Sequence, residues 1–338
     1  MELQPSAELW KRRMPKLLIA LTLLLVSLLG LPERARAVSG WACFGAALAE
    51  IYLPGLGYGL LGDWDKALIF GGARWASANK YYTYSESPDY QEEVDQIYRE
   101  TELSDEKTQL DIYYSRETFY ANAHSSIYGN LTFLTIYDLY DGGCEENTKT
   151  YGLLAAPFRL DLWGGELTFW APTVYISAVP LDDREVIYHV DEDLSRDEML
   201  RMSFLQYQLV GIGEEVLFRG VIQRSLFNAF DGVFSSNVAR WTSIVLGAGV
   251  FGAAHSGAGL SANSGSAFVA GLYLGYVYHP EPGTYDLEQA IAIHSWWDTI
   301  LMHRTITGAR FKERQPGEDG LNPVLQASYP LFGFTYRF

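Results

Sequence analysis

Residues 211–230 read GIGEEVLFRGVIQRSLFNAF, an apolar run carrying two adjacent acids, Glu214 and Glu215, and an arginine, Arg219. Read as a helix, Glu215 and Arg219 stand four apart and face the same way. Carboxylates are costly in low dielectric unless they are paired or put to use, so this placement demands a reason. Two further polar spots lie in equally apolar surroundings: His255 in VFGAAHSG, and His294 with Asp298 in AIHSWWDTI. Phe251 shares a helix face with His255, as His294 does with Asp298.

These segments form three motifs in order: EExxxR (EEVLFR), FxxxH (FGAAH) and HxxxN/D (HSWWD). Together they resemble the CPBP family of intramembrane proteases, which includes the type II CAAX prenyl endopeptidases and the bacteriocin-immunity-like proteins. The resemblance covers roughly residues 200–305, which read as four helices at about 200–229, 238–257, 263–280 and 286–304. It implies an all-α polytopic membrane protein, a multi-helix bundle with a CPBP-type catalytic core. Gly247, Gly249, Gly252 and, on the next helix, Gly265, Gly271 and Gly275 are the small residues that let membrane helices pack closely.

The chemistry follows from residue types. A carboxylate in a desolvated site has its proton affinity raised, which suits a general base acting on water. The resemblance implies that Glu214 with His255 activates the hydrolytic water, Arg219 holds Glu215 ionised, and His294 with Asp298 steadies the oxyanion. An aspartate donates a hydrogen bond only when protonated, so Asp298 either donates in that form or orients His294 and fixes its tautomer. Two histidines and nearby carboxylates also match the ligand types of a hydrolytic zinc site, but HExxH is absent; the reading adopted is metal-free, with no cofactor and zinc as the alternative. A non-catalytic scaffold or immunity-type protein of the same fold is the competing function. The expected partners are a membrane-associated protein or peptide as substrate and the lipid bilayer.

Composition narrows the class. The chain has 338 residues with a net charge of −16, from 25 basic and 41 acidic side chains, which argues against a nucleic-acid partner. It is rich in 23 Tyr and 9 Trp, the amphipathic aromatics of membrane interfaces. From Trp241 to Pro280 there is no Asp, Glu, Lys or Arg, enough for two short membrane helices. At the N-terminus Lys11, Arg12, Arg13 and Lys16 precede LLIALTLLLVSLLGL and then Ala35-Arg36-Ala37. That is the order of a secretory signal, or else a first membrane helix, over residues 1–37, with its basic flank cytoplasmic. The expected location is a bacterial inner membrane, crossed several times. Cys43 and Cys144 lack metal-site spacing and read as buried thiols, or as a pair in an oxidising compartment.

The remaining segments are assigned as follows. Residues 38–145 form a membrane hairpin region whose PGLGYGLLGDWDKALIFGG also resembles, more loosely, small PGxG hairpin domains. Within it, residues 85–117 carry eleven acids against Arg99, Lys107 and Arg116 and read as a solvated helical insert outside the bilayer. His124 reads as structural. Residues 146–199 link this region to the protease-like domain; 158–181 suggest a β-hairpin about Gly164-Gly165, or a short helix broken at Pro172. His189 lies in a polar run with no assigned role, and Ser195 with Glu198 is not a clean capping box. The tail 306–338 ends in alternating aromatics from Phe332 to Phe338, like one strand of an outer-membrane barrel.

Overall fold

The computed structural model describes residues 40–87, 109–141, 150–178, 185–255, 262–313, 326–329 and 334–337. The N-terminal signal-like segment, Cys144 and most of the acidic insert lie outside them. Helices α1 (Gly40–Tyr52), α2 (Leu56–Leu61) and α3 (Trp64–Ser85) form the expected hairpin region. Its Pro-Gly turn is clasped by a charge. The Glu50 carboxylate accepts the Gly55 and Gly57 N–H groups, each at 2.9 Å, and the Arg74 guanidinium at 2.6 Å. Gly55 has φ +86°, which a glycine adopts without steric cost.

Strand β1 (Gln109–Tyr114) and helix α4 (Arg116–Asp141) follow. The end of the insert is therefore a strand, not a helix. After α5 (Thr150–Ala155) and a 3₁₀ turn at Ala156–Phe158 come α6 (Leu160–Trp163) and α7 (Leu167–Ala178). The β-hairpin expected over 158–181 is absent among the described residues. Gly164-Gly165 separates two helices, and the flanking Trp163 and Phe169 rings stack at 4.1 Å. Pro172 sits inside α7. A proline cannot donate to the carbonyl four residues back, and that carbonyl, of Thr168, instead accepts the Tyr273 hydroxyl.

Strand β2 (Glu185–Val190) leads into α8 (Arg196–Glu215), which continues through π-helical turns at Val216–Gln223 into α9 (Arg224–Asp231). Ser195 does cap α8, its hydroxyl accepting the Glu198 N–H at 3.3 Å. The Glu198 carboxylate goes to Arg116 (2.6 Å) and to the Tyr120 hydroxyl, so the reciprocal half of a capping box is missing. Three helices complete the domain: α10 (Ser236–Ala254), α11 (Ala262–Tyr278) and α12 (Leu287–Gly308). All four expected helices of this domain are present.

Strand β3 (Arg310–Glu313) closes a three-stranded parallel sheet of order β1-β2-β3. Tyr113 pairs with His189 and His189 with Lys312. His189 is therefore in the central strand and buried, although it lies in a polar run of the sequence. Phe119, Val190, Met199 and Ile306 make a separate apolar cluster here. In the tail, β4 (Gln326–Tyr329) pairs antiparallel with β5 (Phe334–Arg337); the aromatic strand has a local partner. Apart from these strands the architecture is helical, and Gly40–Phe338 is one compact unit.

Apolar side chains also face outward. On α10, Val238, Trp241, Val245, Leu246 and Val250 are exposed, while Ala239, Arg240, Ser243, Gly247 and Gly252 are buried. Among the described residues no helix is long and apolar enough to cross a membrane by its own mean hydropathy. Cys43 is disulfide-bonded rather than a buried thiol, and the sequence contains one other cysteine, Cys144.

Candidate active site

Close helix approach builds the site. A Cβ on Gly211 would stand 2.4 Å from the Ser295 backbone nitrogen, and one on Gly213 2.3 Å from Asn130 Oδ1. Only glycine lets α12 and α4 come this near to α8. Ser295 Oγ donates to the Gln208 carbonyl at 3.1 Å, and Gln208 Nε2 donates to Thr299 Oγ1 at 2.8 Å. These bonds set the antiparallel register of α8 and α12 that brings Glu215 opposite His294. About two turns beyond Gly213, Gly220 lies against Tyr137, where a Cβ would be 2.5 Å from the ring. The π-helical turns begin at Val216, directly after the two acids; such turns displace the helix ladder and recur at functional sites.

All six residues singled out from the sequence come together. Arg219 Nε donates to Glu215 Oε2 at 3.1 Å, and both side chains are fully buried. His294 Nδ1 meets the other oxygen, Glu215 Oε1, at 2.8 Å. That bond turns His294 Nε2 toward Glu214 Oε2 at 3.9 Å and Asp298 Oδ2 at 3.4 Å. His255 ends α10; its Nδ1 lies 2.7 Å from the Phe251 carbonyl, an acceptor, so this nitrogen carries the proton. Its Nε2 then faces Glu214 Oε2 at 3.6 Å, beyond direct hydrogen-bond length. Glu214 thus stands between two imidazoles, and Glu215 is held by one cation and one ring.

The Phe251 ring fills the centre. It lies 4.3 Å from His255, 5.8 Å from His294 and 5.0 Å from Phe218 by ring centroids. The Arg219 guanidinium sits 5.0 Å over it, a cation–π contact that is strengthened by desolvation. Among the described residues no group of three or more His, Cys, Asp or Glu is placed to hold a metal ion. His124 stacks with Tyr84 and Tyr120, away from this cluster. Sequence reasoning missed the supports: Gln208, Thr299, Ser295 and the α4 contacts. Gly211 and Gly213 were the available signal, two small residues immediately before the acid pair.

Residues 197–300 match the family described as Rce1-like, type II CAAX prenyl endopeptidase Rce1-like, which is the CPBP family. No curated protein and no solved structure matches the chain.

Proposed function

We propose that the protein is an intramembrane endopeptidase that cleaves a peptide bond of a membrane-associated protein, using water activated by Glu214 and His255. The observation that carries this reading is the 3.6 Å approach of His255 Nε2 to Glu214 Oε2 inside a buried cluster. Two polar atoms at that separation can both hydrogen-bond one water seated to the side of the line that joins them. Glu214 takes the proton as that water attacks the scissile carbonyl, and His255 steadies the water and the returning proton. His294, its Nδ1 anchored on Glu215, directs Nε2 toward the developing oxyanion when the ring is doubly protonated. Asp298 orients that ring. Arg219 compensates the charge on Glu215 and leaves Glu214 as the working carboxylate.

Family membership of the domain and the outward apolar side chains support a place in the bilayer. A hydropathy average over one helix counts residues such as Lys66, Arg74, Asp138 and Gln223 against it, yet all are buried inside the bundle and never meet lipid. The helices of 40–178 then serve as a scaffold around α8, with no cofactor required.

The test is hydrolysis of a peptide library by detergent-purified protein. Glu214→Gln and His255→Ala each lower the rate by about 10²–10⁴-fold, the usual share of general acid–base catalysis, and a chelator leaves the wild type active. Loss with chelator and recovery with zinc would replace the metal-free mechanism. Unchanged cellular function of Glu214→Gln would leave the non-catalytic scaffold instead.

A further inference from the structure

We infer that a chain of bound water runs through the bundle along a buried polar lane, from Glu215 and Arg219 past Gln223 to His279 and Arg240. The lane stands on its own residues. Its use, resupplying the water spent at Glu214, rests on the peptidase reading above.

The lane is continuous. Arg219 Nε is bonded to Glu215, and Gln223 follows Arg219 four residues on within the π-helical turns, both side chains fully buried. Gln223 Nε2 donates to the Gly275 carbonyl at 3.0 Å, which also accepts the His279 N–H at 3.2 Å. The His279 carbonyl in turn accepts Arg240 Nε at 2.6 Å. Glycines on α10 and α11 keep the middle of the lane clear. A Cβ on Gly275 would stand 2.8 Å from Gln223 Oε1, and one on Gly247 3.3 Å from Gln223 Cβ.

Four of these residues keep buried polar atoms with no hydrogen-bond partner among the described residues. They are Arg219 Nη1 and Nη2, Gln223 Oε1, Arg240 Nη2 and both ring nitrogens of His279. Unpaired polar atoms are costly in low dielectric, and buried ones are satisfied by protein or by ordered water. The mixture of atoms selects the ligand. Guanidinium nitrogens only donate. Gln223 Oε1 only accepts, because its Nε2 is spent on a carbonyl. His279 lies just past the end of α11, where burial and the Arg240 charge push its pKa down to about 4. The ring is therefore neutral near pH 7, one nitrogen donating and the other accepting. An anion suits the donors alone and a cation the acceptors alone. Water both gives and takes, and so suits all of them.

The lane also ends where such a chain is of use. At one end Glu215 adjoins Glu214. At the other, His279 begins the turn 279–286, in which residues 281–284 are exposed. Arg240 lies under the exposed Trp241 and Tyr276, its guanidinium 4.5 and 5.4 Å from their rings. Each peptide bond cut consumes a water, so a buried acid pair has to be resupplied.

Hydroxyl-radical labelling by X-ray pulses, read by mass spectrometry on the full chain in detergent, tests the lane. Radicals formed from bound water oxidise the side chains beside it even where bulk solvent does not reach. Tyr278, 1% exposed and next to His279, is matched by Tyr58, also 1% exposed, whose hydroxyl is bonded to Asp138. Phe227, against the His279 ring, is matched by Phe119, both 7% exposed. Tyr278 and Phe227 are expected to label several-fold faster than their matches. His279→Phe keeps a ring against Tyr285 but removes both nitrogens, and should bring Tyr278 down to the rate of Tyr58. Equal labelling within the matched pairs, or labelling of Tyr278 unchanged by His279→Phe, would overturn the lane. No catalysis enters this measurement, so an inactive enzyme leaves the lane to be decided by it. The resupply role is read separately: Gln223→Leu should lower kcat several-fold with KM unchanged. An unchanged kcat would remove that role and leave the peptidase reading, which turns on Glu214→Gln, standing.

Discussion

Arg219 is the residue on which the buried acids depend. Its guanidinium and the Glu215 carboxylate are both fully buried, and removing one partner of such a pair strands the other charge in low dielectric. Arg219→Met should cost about 3–5 kcal/mol, read as a lowered Tm in detergent. Glu215→Gln on top of it should recover part of that loss, because no uncompensated carboxylate then remains; a double variant no more stable than Arg219→Met would deny that the pair acts as a unit. Glu198, beside the sheet, gives the pH test at this scale. Partial burial pushes its carboxyl up, but the Tyr120 hydroxyl and Arg116 guanidinium outweigh this and hold it below the ordinary 4.5. A depressed carboxyl stabilises the fold above its unfolded value and loses that contribution as pH falls through the folded value. Wild type should therefore exceed Glu198→Gln in Tm above pH 4.5, and the difference should vanish on further acidification.

At the scale of elements, the separation of α8 and α12 decides whether the site exists. Gly211→Ala puts a methyl where Ser295 backbone stands, and rigid backbone cannot yield as a side-chain end would. An overpacking cost of about 1–3 kcal/mol is expected. The wider separation should also break the 2.8 Å bond between His294 and Glu215, so hydrolysis should fall more than stability does. Gly249→Ala is the control on α10, since a Cβ there meets nothing within 4 Å. Equal effects of the two substitutions on hydrolysis would remove close approach as the organising feature. The π-helical turns belong to the same scale: they hold Arg219 within reach of Glu215 while Gly220 packs on Tyr137.

At the scale of the molecule, the N-terminal helices and the family domain share one core, since Phe133, Leu134 and Tyr137 pack with Ile212 and Val216. A disulfide near one end of that core should stabilise all of it. Cys43→Ser should cost about 2–4 kcal/mol, seen as a lower Tm that matches wild type under reducing conditions. A Tm unaffected by both the substitution and the reductant would show that the bond does not constrain the fold.

The sequence by itself determined the four helices of the protease-like domain and singled out the six polar residues that the structure brings together. Charged residues at four-residue spacing in apolar helices leave few alternatives, because burial without a partner is so costly. It also marked two apolar runs about the polar turn at Gly62–Lys66, where the structure has α1–α3. Only the tertiary structure decided the sheet. β2 lies in a polar, acidic segment with no apolar alternation, and Ile187, Tyr188 and His189 become buried only because β1 and β3, from distant parts of the chain, pair beside it. The helical state of 158–178 was likewise decided by packing, the Trp163–Phe169 stack and the Tyr273 hydroxyl overriding the Gly-Gly and Pro signals. The distances within the site were decided there too. Motif spacing put each residue on a helix face, whereas Gly211 against Ser295 and Gly213 against Asn130 brought those faces together, and contact between segments far apart in sequence is not written in the local pattern of either one.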